Sequence, residues 1–322
     1  MSRAEAAPDA DRRGKPRAAA RPPHGGPLLA LIPYYPPPMI ELGGIVLDSW
    51  AALVTLGFIL GLESCRWRGI QQGLDVRDIV DGGVFIVGSG FVGGHIVHVL
   101  AYNPHQLEEQ GIWALLKIWA GFSSYGGFLG AVAAAVLFLN LPRFFGDQAK
   151  VFSAKGATGA WSSFVQWAGR PKDFWKHGDA YIFGFPLGWT FGRLGCFSAH
   201  DHVGARSDFF LAVDFPAATY GGPRHDLGLY EALWTAVIAA TFYAFRNRPV
   251  QPGFFVALWC AMYAPARLAL DFLRNSDLSG ADVRWAGLTP AQWGSLMMAG
   301  AGLALVRKLW RPAAPPPTTS HV

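Results

Sequence analysis

Two short stretches bring together residue types able to hold an anion inside an otherwise apolar chain. The first is Gly192-Arg193-Leu194-Gly195-Cys196-Phe197-Ser198-Ala199-His200-Asp201-His202-Val203-Gly204. The second is Tyr263-Ala264-Pro265-Ala266-Arg267-Leu268-Ala269-Leu270-Asp271-Phe272-Leu273-Arg274. In a helix, positions 263, 267, 271 and 274 follow i, i+4, i+8 and i+11 and share one face. One stripe therefore presents tyrosine, arginine, aspartate and arginine. Arg193 is flanked by Gly188, Gly192 and Gly195, small residues that let neighbouring backbones approach. A guanidinium held in a low-dielectric pocket offers a planar fork suited to a phosphate. A third stretch, Ser123-Ser124-Tyr125-Gly126-Gly127, sets a polar trio at the head of an apolar run. Its glycines also serve helix packing, and its hydroxyls are placed to line a cavity.

Imidazoles stand near the same stretches. His95 and His98 are spaced i, i+3, and His200, Asp201, His202 and His225 follow further along. Such groups exchange protons near neutrality or bind metals. A His-x-His spacing in a loop is common by chance, and a lone histidine is more often structural.

The elements that must position these residues are set by composition. The chain has 322 residues, of which 52% are hydrophobic and 15% charged, with a mean hydropathy of +0.24. Soluble domains carry about 25% charged residues. The charges here cluster between long apolar stretches, as a bilayer demands. The net charge of +5 sits mainly in a tail and in loops, which suits a membrane surface and not nucleic acid. Cys65, Cys196 and Cys260 show no CxxC spacing and support neither a disulfide framework nor a zinc ribbon.

These features predict an all-α polytopic integral membrane protein with about seven transmembrane helices. A span needs roughly 20 mostly apolar residues. The expected spans are Ile45–Leu62, Gly82–Tyr102, Ile118–Leu141, Tyr181–Phe197, Gly228–Phe245, Gly253–Leu273 and Thr289–Val306. Residues 1–38 read as a disordered basic, Pro-rich tail, 39–311 as the membrane domain, and 312–322 as a second tail. Residues 142–179 read as a cytoplasmic insertion whose tryptophans and lysines suggest an amphipathic piece on the membrane surface. Lysines and arginines concentrate after spans one, three and five and in the C-terminal tail, including Arg66, Arg143, Lys172, Arg246 and Arg307. The C-terminus is thus expected in the cytoplasm and the N-terminus outside. The basic N-terminal tail pulls the other way.

In that arrangement Arg193 and the 263–274 stripe reach one depth in the outer leaflet. Each alone has a plainer reading. Arg193 would snorkel to headgroups, and Asp271 would only pair with Arg267 and Arg274. Together they favour an anion, and a phospholipid phosphate is the natural one there.

From about Gly44 to Val306 the chain resembles the prolipoprotein diacylglyceryl transferase family. Gly192–Gly204 is similar to the family signature, with Arg193 and Gly204 at its essential positions and Asp201 at its acidic or small position. Tyr263 and Arg267 match the family's late tyrosine and arginine. His225 with Leu229-Tyr230-Glu231 is similar to its His-Pro-x-Gln-Leu-Tyr-Glu run, and Leu288-Thr289-Pro290-Ala291-Gln292 to its last-span opening. The departures are specific. Tyr125 replaces a histidine of the family's His-Gly-Gly motif, Trp50-Ala51 its early Tyr-Gly pair, His95 an arginine after Gly93-Gly94, Cys196 an asparagine, and Asp226-Leu227-Gly228 its Pro-x-Gln after His225.

The resemblance implies transfer of a diacylglyceryl group from phosphatidylglycerol to the lipobox cysteine thiol of prolipoproteins, with glycerol phosphate released. It implies a multi-pass monomer in the bacterial inner membrane that binds membrane lipid and lipobox peptides, with no cofactor, metal or nucleic acid. Arg193, Arg267 and Tyr125 are then the expected catalytic residues, and Arg193, Gly204, Asp201, Tyr263, Trp50 and His200 the expected substrate contacts. A phenol with a pKa near 10 is a poor base at neutral pH, so His200, His202 and His95 are the alternatives. Two rival readings are a metal-dependent membrane hydrolase or metal carrier built on the histidines, and a catalytically altered relative that binds lipid.

Overall fold

The computed structural model describes residues 32–43, 45–117, 121–278 and 284–309. The side chains of Ser124 and Tyr125 lie outside that description. After a strand β1 (Ile32–Pro33), strands β2 (Met39–Leu42) and β3 (Ile45–Asp48) form an antiparallel pair. Helix α1 (Ser49–Gln71) follows directly. The first span was expected from Ile45, but the helix starts at Ser49 because Asp48 caps it, accepting the Ala51 amide at 2.7 Å. Helix α2 (Val76–Val97) runs into a π-turn (His98–Tyr102) and two short helices, α3 (Pro104–Gln110) and α4 (Trp113–Leu116). Ser123 caps α5 (Ser124–Ala154), so this helix begins later than the expected Ile118.

α5 continues well past Leu141, so the first part of the expected cytoplasmic insertion is helix. The rest folds back. α6 (Ala160–Ala168) packs against α5, the Trp167 indole donates to Asp81 at 2.8 Å, and Arg170 pairs with Asp78 at 3.0 Å. Asp173 then caps α7 (Phe174–Ala199).

Among the described residues, four segments are long and apolar enough to cross a membrane: Val76–Ala101, Gly126–Ala154, Leu227–Ala244 and Phe254–Leu273. The remaining long helices, α1, α7 and α11 (Pro290–Leu309), carry glycines and polar residues through their lengths. The outward faces leave Ile59, Val84, Val136, Val237 and Leu303 exposed, as contact with lipid requires.

α1 lies along α7, α2 along α5, and α9 (Leu227–Ala244) and α10 (Phe254–Leu270) complete the bundle with α7. Glycines set the closest approaches. A Cβ at Gly57 would stand 2.6 Å from the Gly188 carbonyl oxygen, and one at Gly93 would stand 2.8 Å from that of Gly126. Gly57→Val is therefore expected to force α1 off α7 and lower stability by ~1–3 kcal/mol. Gly294→Ala, which meets nothing within 4 Å, is the control. Equal thermal melting of the two variants in detergent would refute this packing argument.

The all-α expectation is corrected at one end of the bundle. Strands β1, β5 (Val213–Asp214), β6 (Arg224–Asp226) and β4 (Val203–Arg206) make a four-stranded sheet in that order, with the short helix α8 (Ala217–Tyr220) between β5 and β6. Ile32 and Pro33, which fall within the tail expected over residues 1–38, pair in parallel with Val213 and Asp214. Residues 1–31 and 310–322 lie outside the described residues. Fully buried Arg224 clamps this head, donating to both Asp277 oxygens at 2.9 and 2.5 Å and to the Gly204 carbonyl at 3.1 Å. Its guanidinium holds the Asp277 carboxyl below the usual carboxylate range. β4 leaves α7 and β6 enters α9, so the sheet seats the ends of the helices that carry the candidate site.

Candidate active site

The site is organised by a residue that the sequence presents only within the Leu229-Tyr230-Glu231 run. Glu231 lies one turn into α9, 2% exposed. Its carboxylate faces Arg193 of α7, with Nε 3.1 Å from Oε1, and Arg267 of α10, with Nε 3.9 Å from Oε2. The Arg193 Nε–H is not aimed along its line, so that contact is ionic. The Tyr263 hydroxyl and the Trp189 indole, at 3.0 Å, both donate to Oε1. The Trp189 ring also carries the Arg193 guanidinium 4.7 Å from its centre, a cation–π contact. A charge among spans must face the bundle and find partners. An acidic residue inside the apolar run 227–244 was the signal that could have found Glu231.

Only the first part of the expected 263–274 stripe is α-helix: α10 ends at Leu270, a 3-10 turn covers Asp271–Leu273 and Arg274 is extended, yet the side chains still meet. Arg267 Nη1 donates to Asp271 Oδ1 at 2.6 Å, and Arg274 Nε reaches the same oxygen at 3.2 Å. The second Asp271 oxygen accepts from the Thr289 hydroxyl. Thr289 and Gln292 exchange hydrogen bonds, the Thr289 amide to Gln292 Oε1 at 3.0 Å and the Gln292 amide to Thr289 Oγ1 at 3.1 Å. With Pro290 at the first helical position, this is a capping box that locks the start of α11 onto Asp271.

On the other side Arg193 Nη1 faces neutral acceptors. It lies 3.1 Å from His202 Nε2 and 3.8 Å from Cys196 Sγ. His202 Nδ1 in turn meets the Asp201 carboxylate. A polar chain thus runs from Asp201, whose side chain is 42% exposed, through His202, Arg193, Glu231 and Arg267 to Asp271 and Thr289. Asp201 also lines a cleft of about 310 Å³ together with Pro37, Asp48, Ser49, Trp50 and Ala199. Trp50 sits there on the first turn of α1, packed against Gly195. Ser49 is tied to Ser198 of α7 at 2.9 Å.

The other expected residues fall elsewhere. His200 adopts a left-handed conformation, φ 51°, as the C-cap of α7, which turns its ring away from His202. Its Nδ1 meets Asp226 at 2.8 Å and its Nε2 the Tyr35 carbonyl at 3.1 Å. Burial pushes the Asp226 carboxyl up, and the His200 hydrogen bond draws it partly back. Gly204 packs in β4, where a Cβ would stand 2.6 Å from the Leu273 carbonyl oxygen. Tyr125 is on the first turn of α5, its side chain outside the described residues. His95 is fully buried, with its ring nitrogens 3.0 and 2.9 Å from the carbonyls of Gly121 and Ala114. His225 meets the Tyr230 hydroxyl at 2.8 Å, and burial pushes its imidazole down. The histidines considered as one metal set are thus dispersed. Among the described residues Cys196, Asp201 and His202 do gather, with one ligand atom each within 4.8 Å of the others.

Known proteins are similar to this chain over most of its length. A chain 29% identical over 288 residues, covering 87% of this one and 91% of its own length, is a phosphatidylglycerol–prolipoprotein diacylglyceryl transferase of Nitrosomonas europaea. A protein of the same name from Nitrobacter winogradskyi is 28% identical over 298 residues, 88% of this chain and 91% of the other. One from Bordetella bronchiseptica is 27% identical over 281 residues, 85% and 95% respectively. The model of the family described as prolipoprotein diacylglyceryl transferase matches residues 37–170 and 152–308, nearly all of the described chain, and this protein belongs to that family.

Proposed function

We propose that this protein transfers the diacylglyceryl group of phosphatidylglycerol to the lipobox cysteine thiol of prolipoproteins and releases glycerol phosphate. The observation that carries the reading is the asymmetric setting of Arg193. Glu231 anchors its Nε side, while Nη1 rests on an imidazole and a thiol. A phosphate oxygen is a far stronger, charge-assisted partner for that Nη1 than either. Arg267, bound between Glu231 and Asp271, stands as the second fixed donor. As the bond to the lipid's phosphate breaks, charge grows on the leaving oxygen, and preorganised cations stabilise it without reorganising. Trp50 and Asp201, at the cleft, are the contacts assigned to the peptide and headgroup, Tyr263 holds Glu231 in place, and Tyr125 is assigned to the lipid phosphate.

The same reading takes seven helices as spans, with α1, α7 and α11 crossing alongside the four apolar segments. Glycines bring α1 and α7 together, Gly57 and Gly61 lying against Gly184 and Gly188, and these glycines lower the apolar content of both helices. The head sheet is then external and the loops rich in arginine and lysine are cytoplasmic, in the bacterial inner membrane. The protein works as a monomer without a cofactor or nucleic acid.

The test is the purified protein in phosphatidylglycerol micelles with a fluorescent lipobox peptide. The expected outcome is a peptide heavier by one diacylglyceryl group and one equivalent of glycerol phosphate. Lipid binding with no modified peptide would instead support the altered, lipid-binding relative.

A further inference from the structure

We infer that His202, oriented by Asp201, is the general base that takes the proton of the substrate thiol, and that binding of the lipid phosphate to Arg193 releases it for this work. The inference rests on the transferase reading and adds a catalytic residue to it.

The hydrogen bonds define the tautomer. A carboxylate only accepts, so His202 Nδ1 carries the hydrogen that meets Asp201. Nε2 is left with its lone pair, and that lone pair accepts from Arg193 Nη1 at 3.1 Å. Among the described residues, His202 is the histidine bonded to Arg193. The other candidates have no such free lone pair. Both ring nitrogens of His200 face oxygen acceptors, and so do both of His95. The imidazole of His202 is also reachable, its side chain 16% exposed behind the partly exposed Asp201 at the cleft. An oriented imidazole beside a carboxylate is a recurrent way to activate a nucleophile.

In the resting protein Arg193 occupies the basic nitrogen. A phosphodiester oxygen arriving at Nη1 forms a charge-assisted bond that the neutral imidazole cannot match. Nε2 is thereby freed only when lipid is present. The thiol proton passes to Nε2, and the sulfur electron pair forms the bond to the glyceryl carbon that carries the phosphate. The carbon–oxygen bond breaks, its electron pair leaves on the phosphate of glycerol phosphate, and the imidazolium returns its proton to that phosphate. In this step Asp201 acts on the thiol only through His202, whose Nδ1 it holds, and is there a positioning residue.

The experiment compares two acceptor peptides, one with cysteine and one with selenocysteine at the lipobox position. A selenol is already ionised at neutral pH and needs no base. His202→Asn should lose about 10²–10⁴-fold in kcat with the cysteine peptide, the range for removal of a general base. It should regain most of the wild-type rate with the selenocysteine peptide. Arg193→Ala should be slow with both. An equal loss of His202→Asn with both peptides would overturn the assignment, because a distorted site does not distinguish sulfur from selenium. Full activity of His202→Asn with cysteine overturns it too. So does wild-type activity that a chelator removes and Zn²⁺ restores, which would make Cys196, Asp201 and His202 ligands. A wild-type protein that modifies neither peptide removes the transferase reading itself, and the base assignment with it.

Discussion

Arg193→Ala is expected to lower diacylglyceryl transfer by at least ~10²–10³-fold, the usual effect of deleting one preorganised donor to developing negative charge. Arg267→Ala is expected to do the same by removing the second donor. The two losses have different companions. Arg193 joins the cleft to the buried carboxylate of Glu231, so its removal also frees His202 Nε2 and uncovers Trp189. Arg267 joins Glu231 to Asp271, so its removal loosens the seat of α11. Arg193→Lys keeps the charge but cannot serve Glu231 and a phosphate at once, because an ammonium is a point charge without the planar fork. It should therefore remain well below wild type. The measurement is initial rate with the lipobox peptide against phosphatidylglycerol concentration, alongside melting in detergent. Wild-type rates in both alanine variants would dismiss the phosphate-clamp reading.

Glu231→Ala is expected to have the largest effect on the fold. One carboxylate neutralises two buried guanidiniums and accepts from Tyr263 and Trp189. Removing one partner of a buried ion pair costs about 3–5 kcal/mol, since the remaining charge stays buried without compensation. Here Arg193 loses its carboxylate outright, while Arg267 keeps Asp271. The variant should melt well below wild type and appear at reduced level in the membrane. Glu231→Gln keeps the shape and one acceptor oxygen, so it should fold. Its arginines lose their common anchor, and a misplacement of ~1 Å can cost ~10²-fold in rate. Melting of Glu231→Ala at the wild-type temperature would show that water or other groups compensate the arginines, against the geometry found.

The effects meet at one carboxylate for a reason that bears on reading such chains. Periodicity places residues on a face of one helix, and it did so for Tyr263 and Arg267, while Asp271 and Arg274 follow past the end of the α-helix. It says nothing about which face of another helix lies opposite. Glu231 stood in the sequence only as part of a run similar to a family motif. Its role depends on α9 packing between α7 and α10, which is a property of the assembled bundle. The apparent opposite holds for Gly204. It lies in the stretch similar to the family signature, yet it packs β4 against the Leu273 carbonyl and His225, where any side chain would clash.

Composition and charge patterning by themselves determined that the chain is helical and suited to a bilayer, because hydrocarbon excludes both charges and unpaired backbone. Residue spacing determined that Tyr263 and Arg267 share one face of α10. Three things were decided only in three dimensions. The head sheet joins strands from distant parts of the chain, β1 with β5 and β4 with β6, through backbone hydrogen bonds that leave little trace in short, irregular segments. The helix starts were decided by Asp48 and Ser123, whose side chains satisfy free amides at the first turn. His200 and His202, alike in type and two residues apart, were separated by a single left-handed residue, φ 51° at His200. That turn sends one ring to Asp226 and the other to Arg193, and no pattern of residue types distinguishes them beforehand.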